Sequence, residues 1–180
     1  MSKKDFDDFI NKQAAKKSQE EPINWDNQRD EWLNYLSEYY SKAEEFLKEY
    51  IEDNKVSIKY TDKEIYEEYI GGYTVKVLNI ELAGHKVKLE PIGTNLIGAK
   101  GRVDLIGKNG TIRFVLVNKN SSGPKIKVNI WIEGEEPPKQ EEVSKILEWE
   151  WKISTPPPRI KYIEFNQETF LSALMEVVGG

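Results

Sequence analysis

The spacing of apolar residues divides the chain into a helical front, a long middle of period two, and a helical end. Trp32, Leu33, Leu36, Tyr39, Tyr40, Ala43, Phe46, Leu47, Tyr50 and Ile51 recur at intervals of three and four. That rhythm predicts one long helix from Trp25, with Asp26 as N-cap and Asn54 as its stop. The stripe is wide and aromatic, so the helix is expected to lie across a sheet. Ahead of it, Phe6, Phe9 and Ile10 form a short amphipathic stretch followed by a polar run to Pro22. Residues 1–24 therefore read as a frayed helix and linker, and residues 25–180 as one domain.

After Asn54 the period falls to two. Val56, Ile58 and Tyr60 predict a short strand, while residues 61–70 fit either a helical turn or a polar strand, punctuated by Gly71-Gly72. Strands are predicted over 73–82 and 85–92, joined by a tight turn at Ala83-Gly84. Two more are predicted over 102–107 and 111–118, around Lys108-Asn109-Gly110. A strand over 125–132 is expected to continue the meander, and Gly134 to Glu142, with two prolines and four glutamates, reads as a solvated loop. Trp149, Trp151 and Ile153 alternate with Glu148, Glu150 and Lys152, which predicts a strand with one buried face. Pro156-Pro157-Pro158 leads to a last strand over 159–165. A closing helix over 166–178 is expected to carry Phe170, Leu171, Leu174 and Met175 on one side. Hairpins dominate and β-α-β alternation is missing. The predicted class is α+β: a long N-terminal helix on a curved antiparallel meander of about seven strands, closed by a C-terminal helix.

Composition narrows the function more by exclusion than by motif. A length of 180 residues suits one domain with a tail, burying roughly 70% of its unfolded surface. With 11% aromatic and 32% charged residues, the chain is too aromatic for disorder and too polar for a helical membrane protein. It has no cysteine, which removes disulfides, thiolate metal sites and cysteine nucleophiles, and one histidine, His85, beside a turn. No G-x-S-x-G, Walker A or G-x-G-x-x-G pattern occurs. No cofactor or metal is therefore expected. The first residues carry acids where a secretion signal would be apolar, so a cytoplasmic location is expected.

Charge is segregated. The net −5 divides into nine acids and three bases over 26–54, three acids and ten bases over 71–130, and seven acids and two bases over 131–150. Either the acidic helix neutralises the basic sheet, or the basic face stays open to a nucleic acid or an acidic protein.

Two constellations follow. Trp131, with Lys127 and Asn129 on its face and Glu135 and Glu136 in the next loop, forms a candidate anchor for a partner protein. Arg102 and Asp104 on one strand, with Arg113 and Lys119 on the next, resemble the core of the PD-(D/E)XK nucleases. In that family two acids hold a divalent metal and the lysine steadies the attacking water. Pairing Val103 with Leu116 and Leu105 with Phe114 puts Asp104 and Lys119 on one face. The family's second acid falls at Val117, and Asp104 has Arg102 or Arg113 as alternative partners. The glycine-spaced loop from Pro91 to Gly101 could bring its backbone close to a ligand. The leading expectation is a non-enzymatic, bacterial-type protein–protein interaction module of the immunity, adaptor or accessory kind, acting through its sheet face and charged loops. The alternative is a degenerate nuclease-like or nucleic-acid-binding domain using Arg102, Asp104, Arg113 and Lys119, and a third is a structural subunit of an oligomer.

Overall fold

The computed structural model describes residues 6–8, 10, 24–94, 96, 98–124 and 148–180. Helix α1 spans Trp25–Glu52. Strands β1 (Val56–Glu67), β2 (Gly71–Leu82), β3 (His85–Gly93), β4 (Gly101–Gly107), β5 (Gly110–Asn118), β6 (Trp149–Ser154) and β7 (Tyr162–Glu164) precede helix α2 (Gln167–Val178). The seven strands form one open antiparallel sheet in chain order, so the fold is α+β, as the periodicity predicts. The expected strand over 125–132 lies outside the described residues, and β5 pairs directly with β6.

The apolar rhythm of α1 is realised: Trp32, Leu36, Tyr39, Tyr40, Ala43 and Leu47 are buried, whereas Tyr50 is largely exposed. The N-cap is Asn24 and not Asp26, because the Asn24 side chain accepts from the Asn27 N–H at 3.1 Å. Asp26 sits in the first helical turn, where its charge complements the helix dipole. At the other end α2 closes with a capping box between Asn166 and Thr169. Its buried side holds Phe170, Ala173, Leu174 and Val177. Met175, expected on that face, points to solvent.

Tyr39 is the centre of the core. Its ring lies 4.7 Å from Trp151, 5.0 Å from Phe165 and 5.4 Å from Phe114, joining α1 to β5, β6 and the approach to α2. Trp32 lies flat where β4 begins. A Cβ built on Gly101 would fall on its benzo ring, 2.5 Å from Cε3, so glycine alone lets α1 approach the sheet there.

One open strand expectation is decided and two are corrected. β1 is one 12-residue strand through the ambiguous 61–70 stretch, because Thr61–Glu67 find partners along β2. The last strand is only Tyr162–Glu164. At the β4–β5 turn Gly107 pairs with Gly110 and Val103 with Phe114, two residues from the predicted register. Lys108 and Asn109 take the turn, and the positive φ falls on Gly110. The cause is non-local: the Asn109 N–H donates to Val177 O of α2 at 2.9 Å, which docks this turn on the helix end. A shift of two leaves every side chain on its predicted face.

The β1–β2 hairpin outreaches its neighbour. β3 pairs only with the Leu78–Leu82 half of β2. In that half Leu78 and Ile80 are buried, while in the free half the burial passes to Tyr73 and Val75. The hairpin therefore curls at Val77-Leu78 and turns its distal half toward α1 and the β3–β4 loop.

Two stability outcomes follow from the core. The Tyr39 hydroxyl is fully buried without a hydrogen-bond partner among the described residues, so Tyr39→Phe is expected to be neutral or to stabilise by about 1 kcal/mol in urea unfolding. Gly101→Ala is expected to cost about 1–3 kcal/mol by overpacking. Gly72→Ala, whose Cβ would meet nothing closer than 3.9 Å, serves as its control in the same assay.

Candidate functional site

The curled hairpin encloses a cleft of about 810 Å³ between its tip, the first turns of α1 and the β3–β4 loop. Each wall is fastened by a different interaction. At the mouth the ring of Tyr69, from the turn after β1, stacks on Trp25 at the start of α1, 5.0 Å apart and 17° from parallel. Inside, the nearly buried Glu67 carboxylate accepts from Thr94 N–H at 2.9 Å, from Thr94 Oγ1 at 2.8 Å and from the Tyr73 hydroxyl. These bonds tie the hairpin tip to the β3–β4 loop. Gly93, with φ at 133°, brings its Cα beside that carboxylate, where an added Cβ would lie 3.1 Å from Glu67 Cδ. Lower on the hairpin, Lys63 Nζ reaches Pro91 O at 3.0 Å and Glu90 at 2.8 Å. On the opposite wall Lys100 Nζ pairs with Glu31 of α1 at 2.7 Å and stands 4.9 Å over the ring of Trp149.

Burial is the largest influence on the Tyr73 phenol and raises its pKa above the ordinary value, and the hydrogen bond to the Glu67 carboxylate raises it further. Trp32 Nε1 closes no hydrogen bond among the described residues, yet it lies near enough to that phenol to act in the opposite, lowering direction.

The nuclease-like constellation does not assemble. Asp104 is buried and gives both oxygens to Arg102, at 2.7 Å from Nε and 2.7 Å from Nη2, which raises the arginine pKa. Arg113 lies opposite Asp104 across the ladder but is exposed and makes no ion pair among the described residues. Lys119 follows the end of β5, six residues from Arg113, or about 20 Å along an extended strand. There its Nζ meets Glu148 at 3.1 Å. The two-residue register correction carries Lys119 about 7 Å farther from Asp104 than the predicted pairing does. Val117, at the family's second-acid position, is fully buried. The anchor Trp131, with Lys127, Asn129, Glu135 and Glu136, lies outside the described residues.

Helix α1 packs on the apolar face of the sheet, whose other face carries charged side chains and meets no helix among the described residues. Several bases of that face are held locally, Lys88 by Glu90, Arg102 by Asp104, and Lys152 by the Ser121 and Lys119 carbonyls, while exposed Lys86 and Arg113 make no ion pair among the described residues. Of the loops singled out from sequence, the glycine-spaced one does reach the cleft, through Thr94, Leu96, Ala99 and Lys100. Sequence reading missed Trp25, Glu67 and Tyr69. Their signal was Tyr66 and Tyr69 in a stretch otherwise polar, next to Gly71-Gly72.

Comparison with protein-family models, with curated proteins and with solved structures finds no match to the chain.

The buried phenol gives the cleft a pH dependence. Unfolded tyrosine ionises near 10.0, and folded Tyr73 resists ionisation to a higher pH. Its contribution to stability is therefore fully present below about pH 10 and is lost as pH rises toward the folded-state value. Urea midpoints measured from pH 7 to 12 are expected to fall only above about pH 10, and less steeply in Tyr73→Phe.

Proposed function

We propose that this chain is a non-enzymatic protein–protein interaction module of the immunity, adaptor or accessory type, working in the cytoplasm, with the mouth of the cleft as a docking surface. One observation carries this reading: large aromatic surface is held out to solvent on a braced frame. Tyr66 is 79% exposed and Tyr69 65% exposed, with partly buried Trp25 stacked against Tyr69 and exposed Ile92 near Tyr66. Aromatic side chains supply interface energy at low entropic cost, and here the Glu67 clamp and the Trp25–Tyr69 stack have already ordered them. Among the described residues, no helix is long and apolar enough to cross a membrane.

The nucleic-acid reading draws less support. Asp104 is engaged by Arg102, Lys119 by Glu148 and Lys88 by Glu90, which leaves Arg113, of the four residues of that reading, without an ion pair among the described residues. An acidic or phosphate-bearing partner would have to displace those contacts.

A photoreactive benzoylphenylalanine in place of Tyr66 tests the proposal. In lysate of the native cell it is expected to form one discrete protein adduct, suppressed by excess wild-type chain and lost in a Tyr69→Ala background. The same group in place of exposed Met175 on α2 is expected to form none. A nuclease-sensitive adduct, equal labelling from both positions, or no adduct at all overturns the reading.

A further inference from the structure

We propose that Asn109 is a modification site: its side-chain amide is lost spontaneously to attack by the following backbone nitrogen, and the carboxylate left behind loosens the β4–β5 turn from the end of α2. Asn109-Gly110 is the one Asn-Gly pair in the sequence. Asn109 is exposed, and a Cβ built on Gly110 would meet nothing within 4 Å, so no side chain shields the Gly110 nitrogen. That nitrogen bonds to Asn109 Cγ, the Cγ–Nδ2 bond breaks, and ammonia leaves with the proton given up by Gly110. Water then opens the cyclic imide at either carbonyl, which leaves an aspartate or an isoaspartate. The net change is one water consumed and one ammonia released.

Docking of the turn governs both the rate and the consequence. The Asn109 N–H donates to Val177 O at 2.9 Å and Gly110 pairs with Gly107 in the ladder, so ring closure waits on local opening of the turn. A Cβ built on Gly179 would fall 2.0 Å from Asn109 Nδ2, which places the amide directly against the C-cap of α2. The last turn of that helix has no basic residue, and its carbonyl ends form the negative pole of the helix dipole. A neutral amide is tolerated there and a carboxylate is repelled. Lys108 beside it is exposed, and a solvated base offsets little of that repulsion. An isoaspartate also inserts a methylene into the main chain and shifts Gly110 out of its pairing with Gly107. Either product weakens the bond that sets the β4–β5 register, and with it the seat of the α2 end.

The test ages the full chain at pH 8 and 37 °C and follows each asparagine by peptide mapping with an isoaspartate-specific methyltransferase. Conversion is expected at position 109 ahead of Asn54 and Asn120, more slowly than in a free peptide of residues 105–113, and not at all in Asn109→Gln. Conversion at another asparagine first, or none at 109, overturns the site, and a rate equal to that of the free peptide overturns the protection by docking. For the consequence, Asn109→Asp reproduces the new charge and Asn109→Ser the loss of the amide alone. Amide hydrogen exchange at Val177, Val178 and Gly179 is expected to be about two- to fivefold faster in Asn109→Asp than in Asn109→Ser, with the difference shrinking in molar salt. Equal exchange in the two variants overturns the loosening of α2.

Discussion

Everything that positions the cleft depends on the seating of α1 against the sheet through the ring of Tyr39. That ring meets Tyr40, Phe114, Trp151 and Phe165, and Phe165 in turn meets Phe46 and Phe170. Aromatic pairs add about 0.5–1.5 kcal/mol each beyond the area they bury. An unmet buried hydroxyl costs about 1–3 kcal/mol. Four ring contacts on Tyr39 therefore outweigh its orphan oxygen, and the cluster holds α1, β5, β6 and α2 as one body. With the middle of α1 fixed there and Trp32 seated on Gly101, the first turns of the helix overhang the β3–β4 loop. The cleft is the space beneath that overhang, closed on its third side by the curled hairpin.

The electrostatic picture inverts the one given by counting. Ten bases over residues 71–130 suggest a basic surface, but strands alternate, and an acid two residues away on the same strand shares a face with its base. Arg102 and Asp104, and Lys88 and Glu90, are such pairs. Each such pair offsets the charge of its own base and so weakens the field that would attract a polyanion. Acids at the cleft are spaced differently. Glu67 and Glu68 are adjacent in sequence and Glu31 comes from another element, and among the described residues all three line one cavity together with Lys100, which pairs with Glu31.

The helices, the hairpin at Ala83-Gly84 and the faces of β4 and β5 were legible because each rests on local periodicity or turn chemistry. The nuclease-like register was misread for the same reason: period two fixes a face and leaves shifts of two free, and the deciding bond runs from Asn109 to Val177. Asn24 and Asp26 are both good capping residues, and backbone geometry chose between them. The cleft was not legible at all. It exists because β1 and β2 run past β3, and the number of residues a neighbouring strand leaves unpaired is a tertiary quantity. Only the glycine-spaced loop and the isolated Tyr66 and Tyr69 hinted at it.

This origin constrains what the cleft can do. Its floor belongs to the aromatic core, while its mouth hangs on a hairpin tip that the sheet does not support. A two-stranded ribbon alone is marginal in water. The tip is ordered because Glu67 reaches Thr94, Lys63 reaches Pro91 and Tyr69 lies on Trp25, all of them contacts outside the hairpin. An interaction surface made in this way can be altered through Tyr66, Glu68 and Tyr69 with little effect on the fold, because none of the three belongs to the buried core cluster.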